Sequence, residues 1–69
     1  MRSNHTFGEN LKILRQNKKI TQGDLAKVLN ITLKTVSHWE TNYSEPSIEQ
    51  LMFLADFFEI SLDELVDRK

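Results

Sequence analysis

One signal recurs four times along the chain. A Ser or Thr is followed three residues later by an acid or an amide, and then by apolar residues at helical spacing. The instances are Thr6-Phe7-Gly8-Glu9, Thr21-Gln22-Gly23-Asp24, Ser47-Ile48-Glu49-Gln50 and Ser61-Leu62-Asp63-Glu64. In such a capping box the hydroxyl accepts a bond from an orphan backbone N–H, and the later side chain returns one to the cap residue. Each box therefore marks a helix start. The apolar positions that follow predict helices over about 7–17, 22–29, 48–58 and 62–67. Their expected inward stripes are Phe7, Leu11 and Leu14; Leu25, Val28 and Leu29; Ile48, Leu51, Leu54, Ala55 and Phe58; and Leu62, Leu65 and Val66.

The segment 31–40, Ile-Thr-Leu-Lys-Thr-Val-Ser-His-Trp-Glu, is β-branched and aromatic and favours a strand by propensity alone. A single strand among helices has no pairing partner. Val36 and Trp39 lie at i, i+3 and Thr32 can cap, so the reading is a helix over about 33–41. A loop from about 41 to 47 contains Pro46, one residue before the Ser47 cap. The expectation is a compact, all-α, five-helix domain over 6–67, with a flexible arm at 1–5 and frayed final residues.

Composition narrows the function. Sixty-nine residues suit one small domain, without a separate ligand-sensing domain or a large enzyme cleft. With no Cys, neither a disulfide nor a Cys-ligated zinc is available. The longest apolar run, Leu51 to Ala55, is far short of the ~20 residues that span a bilayer. The polar start Met1-Arg2-Ser3-Asn4-His5 is not a secretion signal, so a cytoplasmic location is expected and the three Asn-x-Ser/Thr triplets (Asn4, Asn30, Asn42) carry no glycan meaning. The net charge of −1 hides an asymmetry. Residues 1–38 hold seven Lys/Arg against two acids (+5), and residues 39–69 hold two against eight (−6). A basic half in so small a domain suits an anionic partner, although a solvated surface with chance asymmetry has the same composition.

The second and third helices are separated by Asn30-Ile31-Thr32. Three residues is the tight connection of a helix-turn-helix, here over 22–40, which offers its second helix to the DNA major groove. Asn30 can adopt the left-handed conformation such a turn needs. The outward positions of the third helix are Leu33, Lys34, Ser37 and His38. Lys34 can donate to guanine O6/N7, and Ser37 can bond either kind of base edge. His38 can reach a purine N7 or a phosphate, and Leu33 suits a thymine methyl or, alternatively, a protein contact. Gln22 opens the second helix, where free N–H groups and the helix dipole can hold a phosphate oxygen. Lys27, Thr35, Asn42 and Tyr43 flank the third helix as further phosphate candidates. His38 is not expected to bind metal, because His5 is the only other His. No cofactor is expected.

The ordered set of motifs resembles the helix-turn-helix family of phage lambda-type repressors and Cro proteins. The matching residues are Phe7, Leu11 and Leu14-Arg15; Thr21-Gln22, Leu25-Ala26 and Leu29; Ile31-Thr32, Val36-Ser37 and Trp39-Glu40; Pro46-Ser47-Ile48, Leu51 and Leu54-Ala55; and Ile60 through Leu65. The resemblance covers about residues 7–67. It implies five helices and a DNA-binding regulator that usually acts as a homodimer on a near-palindromic double-stranded operator. It implies the phosphate role for Gln22 and an ion pair, Arg15 with Glu40, joining the first helix to the third. Asn30 and Asn42 stand where the family often has Gly, and Tyr43-Ser44-Glu45 replaces a short basic stretch.

Phe53 and Phe57 lie outside the inward stripe of the fourth helix, which suggests a protein interface. For Phe57 the other reading is a place at the edge of the core. The expected dimer contacts are Tyr43, Phe53, Phe57, Leu62 and Val66. The function expected is a sequence-specific transcriptional regulator, a repressor, with neither membrane association nor a small-molecule effector. The alternative is an interaction module of the same fold, an antitoxin or antagonist working through the Phe53 face. An enzyme is not expected, because no nucleophile–base pair or metal cluster is visible.

Overall fold

The computed structural model describes residues 6–66 as five helices: α1 (Phe7–Asn17), α2 (Gln22–Leu29), α3 (Leu33–Glu40), α4 (Ile48–Phe58) and α5 (Leu62–Val66). The expected arm at 1–5, residue 67 of the expected fifth helix and the final two residues lie outside the described residues. The segment with strand-like propensity is helical. It ends at Glu40, with Thr41 as the C-cap, one residue short of the expectation. Among the described residues no helix is long and apolar enough to cross a membrane.

All four capping boxes form. Thr6 and Glu9, Thr21 and Asp24, Ser47 and Gln50, and Ser61 and Glu64 exchange reciprocal side-chain-to-backbone bonds of 2.8–3.2 Å. Thr32 caps α3 by accepting from Thr35 N–H at 3.1 Å. The helix ends are less conventional. Asn30 (φ 59°) and Asn42 (φ 65°) take the left-handed conformation expected of them, and so do Lys19 (φ 63°) and Glu59 (φ 59°). These last two have neither a Gly's freedom nor an Asn's local bonding to favour that conformation.

Leu11, Leu25, Val36, Leu54 and Leu65, one from each helix, are wholly buried, with Trp39, Ala26 and Ala55 beside them. Each large side chain contributes about 1.5–3 kcal/mol of transfer free energy. Backbones approach closely where α1 meets the end of α3. A Cβ on Gly8 would lie 2.5 Å from the Glu40 carbonyl oxygen and 2.6 Å from that of Trp39, so only glycine fits. Asn10 then fastens α5 to α1. Its Nδ2 donates to the Glu64 and Leu65 carbonyls at 2.8 and 2.6 Å, satisfying groups that a short helix leaves open.

Three expected core positions are exposed instead. Val28 is 44% exposed, because Leu25, Leu29 and Ala26 define the buried sector of α2 and Val28 falls outside it at ~100° per residue. Ile48 and Leu62 are the first residues of their helices, where no preceding turn covers them. Both line one open groove with Phe7, Pro46, Leu51 and Val66.

Candidate nucleic-acid interface

The candidate interface comprises α3 and the start of α2. Both are held from behind by a buried ion pair. Arg15 on α1 donates from Nε to Glu40 Oε2 at 2.7 Å and from Nη2 to Glu40 Oε1 at 3.2 Å. Its Nη1 donates to the Ile20 carbonyl at 2.9 Å, at the chain's entry to α2. One guanidinium thus fixes the end of α3 and the approach to α2 together. The pair expected from the resemblance is present and buried. Glu40 has a further partner that the sequence did not reveal: Gln22 Nε2 donates to its Oε1 at 3.0 Å.

On α3, Leu33 and Lys34 are exposed, while Ser37 and His38 are half-buried one turn later. The helical period puts these four on one side. A Cβ at Gly23 would meet Leu33 Cδ1 at 3.7 Å, so Leu33 lies against the first turn of α2, next to Gln22. The Tyr43 ring, 78% exposed, leans on the His38 imidazole with centroids 4.5 Å apart. The structure thereby brings Gln22, Leu33, Lys34, Ser37, His38 and Tyr43 to one region made by α2, α3 and the loop behind α3.

The other phosphate candidates differ in how free they are. Lys27 is exposed. Thr35 is half-buried and its hydroxyl is paired with that of Thr32 at 2.9 Å. Asn42 turns its carboxamide to α1 instead of outward: Oδ1 accepts from Gly8 N–H at 3.0 Å, and Nδ2 donates to Thr6 Oγ1 at 2.8 Å. A phosphate contact from Asn42 would have only the second Nδ2 hydrogen to use.

Away from this face, Phe53 is 43% exposed, as its position outside the stripe predicts. Phe57 is half-buried against the core, and so offers less surface than the interface reading expected. It stacks on Phe53 at 6.2 Å, meets Phe58 edge-on at 5.1 Å and carries the Lys18 ammonium 5.1 Å above its ring. Leu62 and Val66 line the α4–α5 groove.

A tight α2–turn–α3 unit with an exposed second helix, set in a five-helix bundle, defines a helix-turn-helix domain. A family model described as Helix-turn-helix matches residues 11–65, and the chain belongs to that family, the lambda-type repressor and Cro class. It is 37% identical over 60 residues to the HTH-type transcriptional activator BcrR of Enterococcus faecalis, covering 87% of this chain and 29% of that protein. It is 41% identical over 58 residues to the HTH-type transcriptional regulator DicA of Escherichia coli, covering 84% and 43%. The chain thus spans less than half the length of these two relatives. The structure of the P22 c2 repressor protein in complex with synthetic operator 9T superposes with a TM-score of 0.85 at 29% identity, over 96% of this chain and all of that one.

Proposed function

We propose that this domain binds double-stranded DNA and regulates transcription as a repressor, with α3 in the major groove and the start of α2 on the phosphate backbone. The observation that carries the reading is the placement of Gln22, at the open N-terminus of α2, beside the exposed face of α3. Leu33, Lys34, Ser37 and His38 are the base-reading side chains; Gln22, Lys27 and Tyr43 serve the backbone, with Thr35 and Asn42 as lesser contributors. A lysine at a base edge gives sequence preference, whereas backbone contacts give affinity to any duplex. The P22 c2 repressor protein, crystallised in complex with a synthetic operator, supports the reading through its shared fold.

One recognition helix reads only a few base pairs, so a homodimer on a near-palindromic operator is the fitting assembly. The α4–α5 groove is the favoured contact, because Ile48 and Leu62 expose apolar surface there and Tyr43 flanks the same loop; the Phe53–Phe57 face is the second choice. The reading places the domain in the cytoplasm and assigns it neither a catalytic step nor a small-molecule effector. Selection of bound sites from a random duplex library tests it. An enriched inverted repeat is the expected result, and failure to enrich any site would refute sequence-specific binding.

A further inference from the structure

Building on the phosphate role proposed above for Gln22, we propose that Glu40 is a positioning residue for DNA binding, its Oε1 fixing the Gln22 carboxamide at the start of α2. Glu40 is 8% exposed and accepts from three donors: Arg15 Nε, Arg15 Nη2 and Gln22 Nε2. A carboxylate paired with a guanidinium only accepts. The Gln22 amide therefore turns its nitrogen inward and leaves its oxygen facing outward. One Nε2 hydrogen is then left for an external acceptor. It joins the backbone N–H groups of Gln22 and Gly23, which precede the first intrahelical bond, donated by Leu25 N–H to the Thr21 carbonyl.

The benefit lies in pre-organisation. A glutamine side chain loses rotamer freedom when a ligand immobilises it, and here that loss is incurred on folding instead. Arg15 sets the frame, since the same guanidinium holds both the Glu40 carboxylate and the Ile20 carbonyl just before the α2 cap. An ion pair that looks purely structural thus reaches the DNA-facing surface through one further hydrogen bond.

The test compares two double variants in which the ion pair is removed at constant net charge. Arg15→Met with Glu40→Met leaves Gln22 no acceptor, whereas Arg15→Met with Glu40→Gln keeps an oxygen at position 40. A buried ion pair replaced whole by apolar side chains of similar size commonly leaves a protein folded. Affinity for a selected site is measured on the folded fraction, with and without Gln22→Ala. In the wild-type background Gln22→Ala should weaken binding about tenfold, as loss of a charge-assisted hydrogen bond does. The Met/Met protein should lose a similar factor and show no further loss with Gln22→Ala, and the Met/Gln protein should recover most of it. If Gln22→Ala is silent in the wild type, the phosphate role fails and positioning fails with it. If Gln22→Ala weakens the Met/Met protein as much as the wild type, or the Met/Met protein binds normally, the phosphate role stands and positioning alone is overturned. Should the doubles not fold, side-chain amide relaxation of the wild type decides: a Gln22 carboxamide ordered on the ps–ns timescale in the free protein supports positioning, and a freely rotating one refutes it.

Discussion

Asn42 reaches back across the fold to Gly8, its Oδ1 accepting the Gly8 N–H at 3.0 Å while its Nδ2 holds the Thr6 hydroxyl. The left-handed residue that ends the recognition unit is thus also the outer lock on the first turn of α1. Two energies are superimposed at this position, the strain of φ 65° and the lost bonds. Asn42→Gly removes only the bonds, whereas Asn42→Ala removes the bonds and adds strain. Urea unfolding should show both destabilised, Ala more than Gly by about 1 kcal/mol. Gly8→Ala should be worse still, because the Glu40 and Trp39 carbonyls that its Cβ would strike belong to the backbone; overpacking of this kind costs about 1–3 kcal/mol or more.

Removing one partner of the buried ion pair should be severe. Glu40→Ala leaves the Arg15 guanidinium enclosed and uncompensated, an error worth about 3–5 kcal/mol, comparable with the whole stability of a domain this small. Thermal melts followed by circular dichroism should show a lowered midpoint, with a larger change in stability than in the DNA affinity of whatever remains folded. Unchanged stability would refute the structural role of the Arg15–Glu40 pair.

Lys34 and Gln22 should separate specificity from affinity. Lys34→Ala should relax preference at one base position at a cost of ~1–3 kcal/mol, whereas Gln22→Ala should weaken all duplexes alike. Binding to a panel of single-base operator variants distinguishes the two patterns. A Lys34→Ala protein with an unaltered base profile would exclude Lys34 from base reading.

Acid should loosen α2 through Asp24. The bond from Thr21 N–H, then that from the Thr21 side chain, and more weakly the Lys27 charge hold the Asp24 carboxyl below its ordinary value of 3.8. A carboxyl whose folded pKa is depressed contributes stability above the unfolded value and loses it as pH falls through the folded one. Wild type should therefore lose more stability than Asp24→Asn as the pH is lowered past 3.8, with urea midpoints at neutral and acidic pH as the measure. Equal losses would show that the Thr21 box is insensitive to Asp24 ionisation.

Assembly can be read by sedimentation with and without an inverted-repeat duplex. Leu62→Lys should abolish pairing on DNA if the α4–α5 groove is the contact, and Phe53→Lys should leave it intact. The reverse result would move the interface to the outer face of α4, and a wild type that saturates the repeat as a monomer would exclude the dimer.

Most of the fold was legible because the helix starts are written locally. A hydroxyl and an acid or amide three residues apart need no tertiary information, and all four boxes formed as expected. The inward stripes failed at Val28, Ile48 and Leu62. In a short helix the buried sector is set by which neighbour arrives, and a helix's first residue has no turn before it to cover it. Lys19 and Glu59 escaped notice because their left-handed backbone is imposed by the chain's path and not by the residue type. The surface placement of the candidate residues on α2 and α3 was legible, but the hydrogen bonds behind them were not. Gln22 and Glu40 are eighteen residues apart, a separation that corresponds to no local period, and only the packing of α2 against α3 brings them together. The engagement of Asn42 with Thr6 and Gly8 was hidden for the same reason.

The division of charge acquires a further meaning once the chain is folded. From Trp39 through Val66 there is no Lys or Arg, so the loop behind α3 and the helices α4 and α5 carry acids alone, while the cations of residues 6–38 lie on α1–α3 and the turn between α1 and α2. A body with a net charge of only −1 thus has its free cations and its acids divided between two sets of helices, and an electric moment should follow. In the field of a duplex it experiences a torque long before contact, and tumbling is biased towards approaches that lead with the basic side. Its association rate should therefore respond to salt as though the protein were cationic, and its wrong-way collisions should be repelled before they can occupy the site.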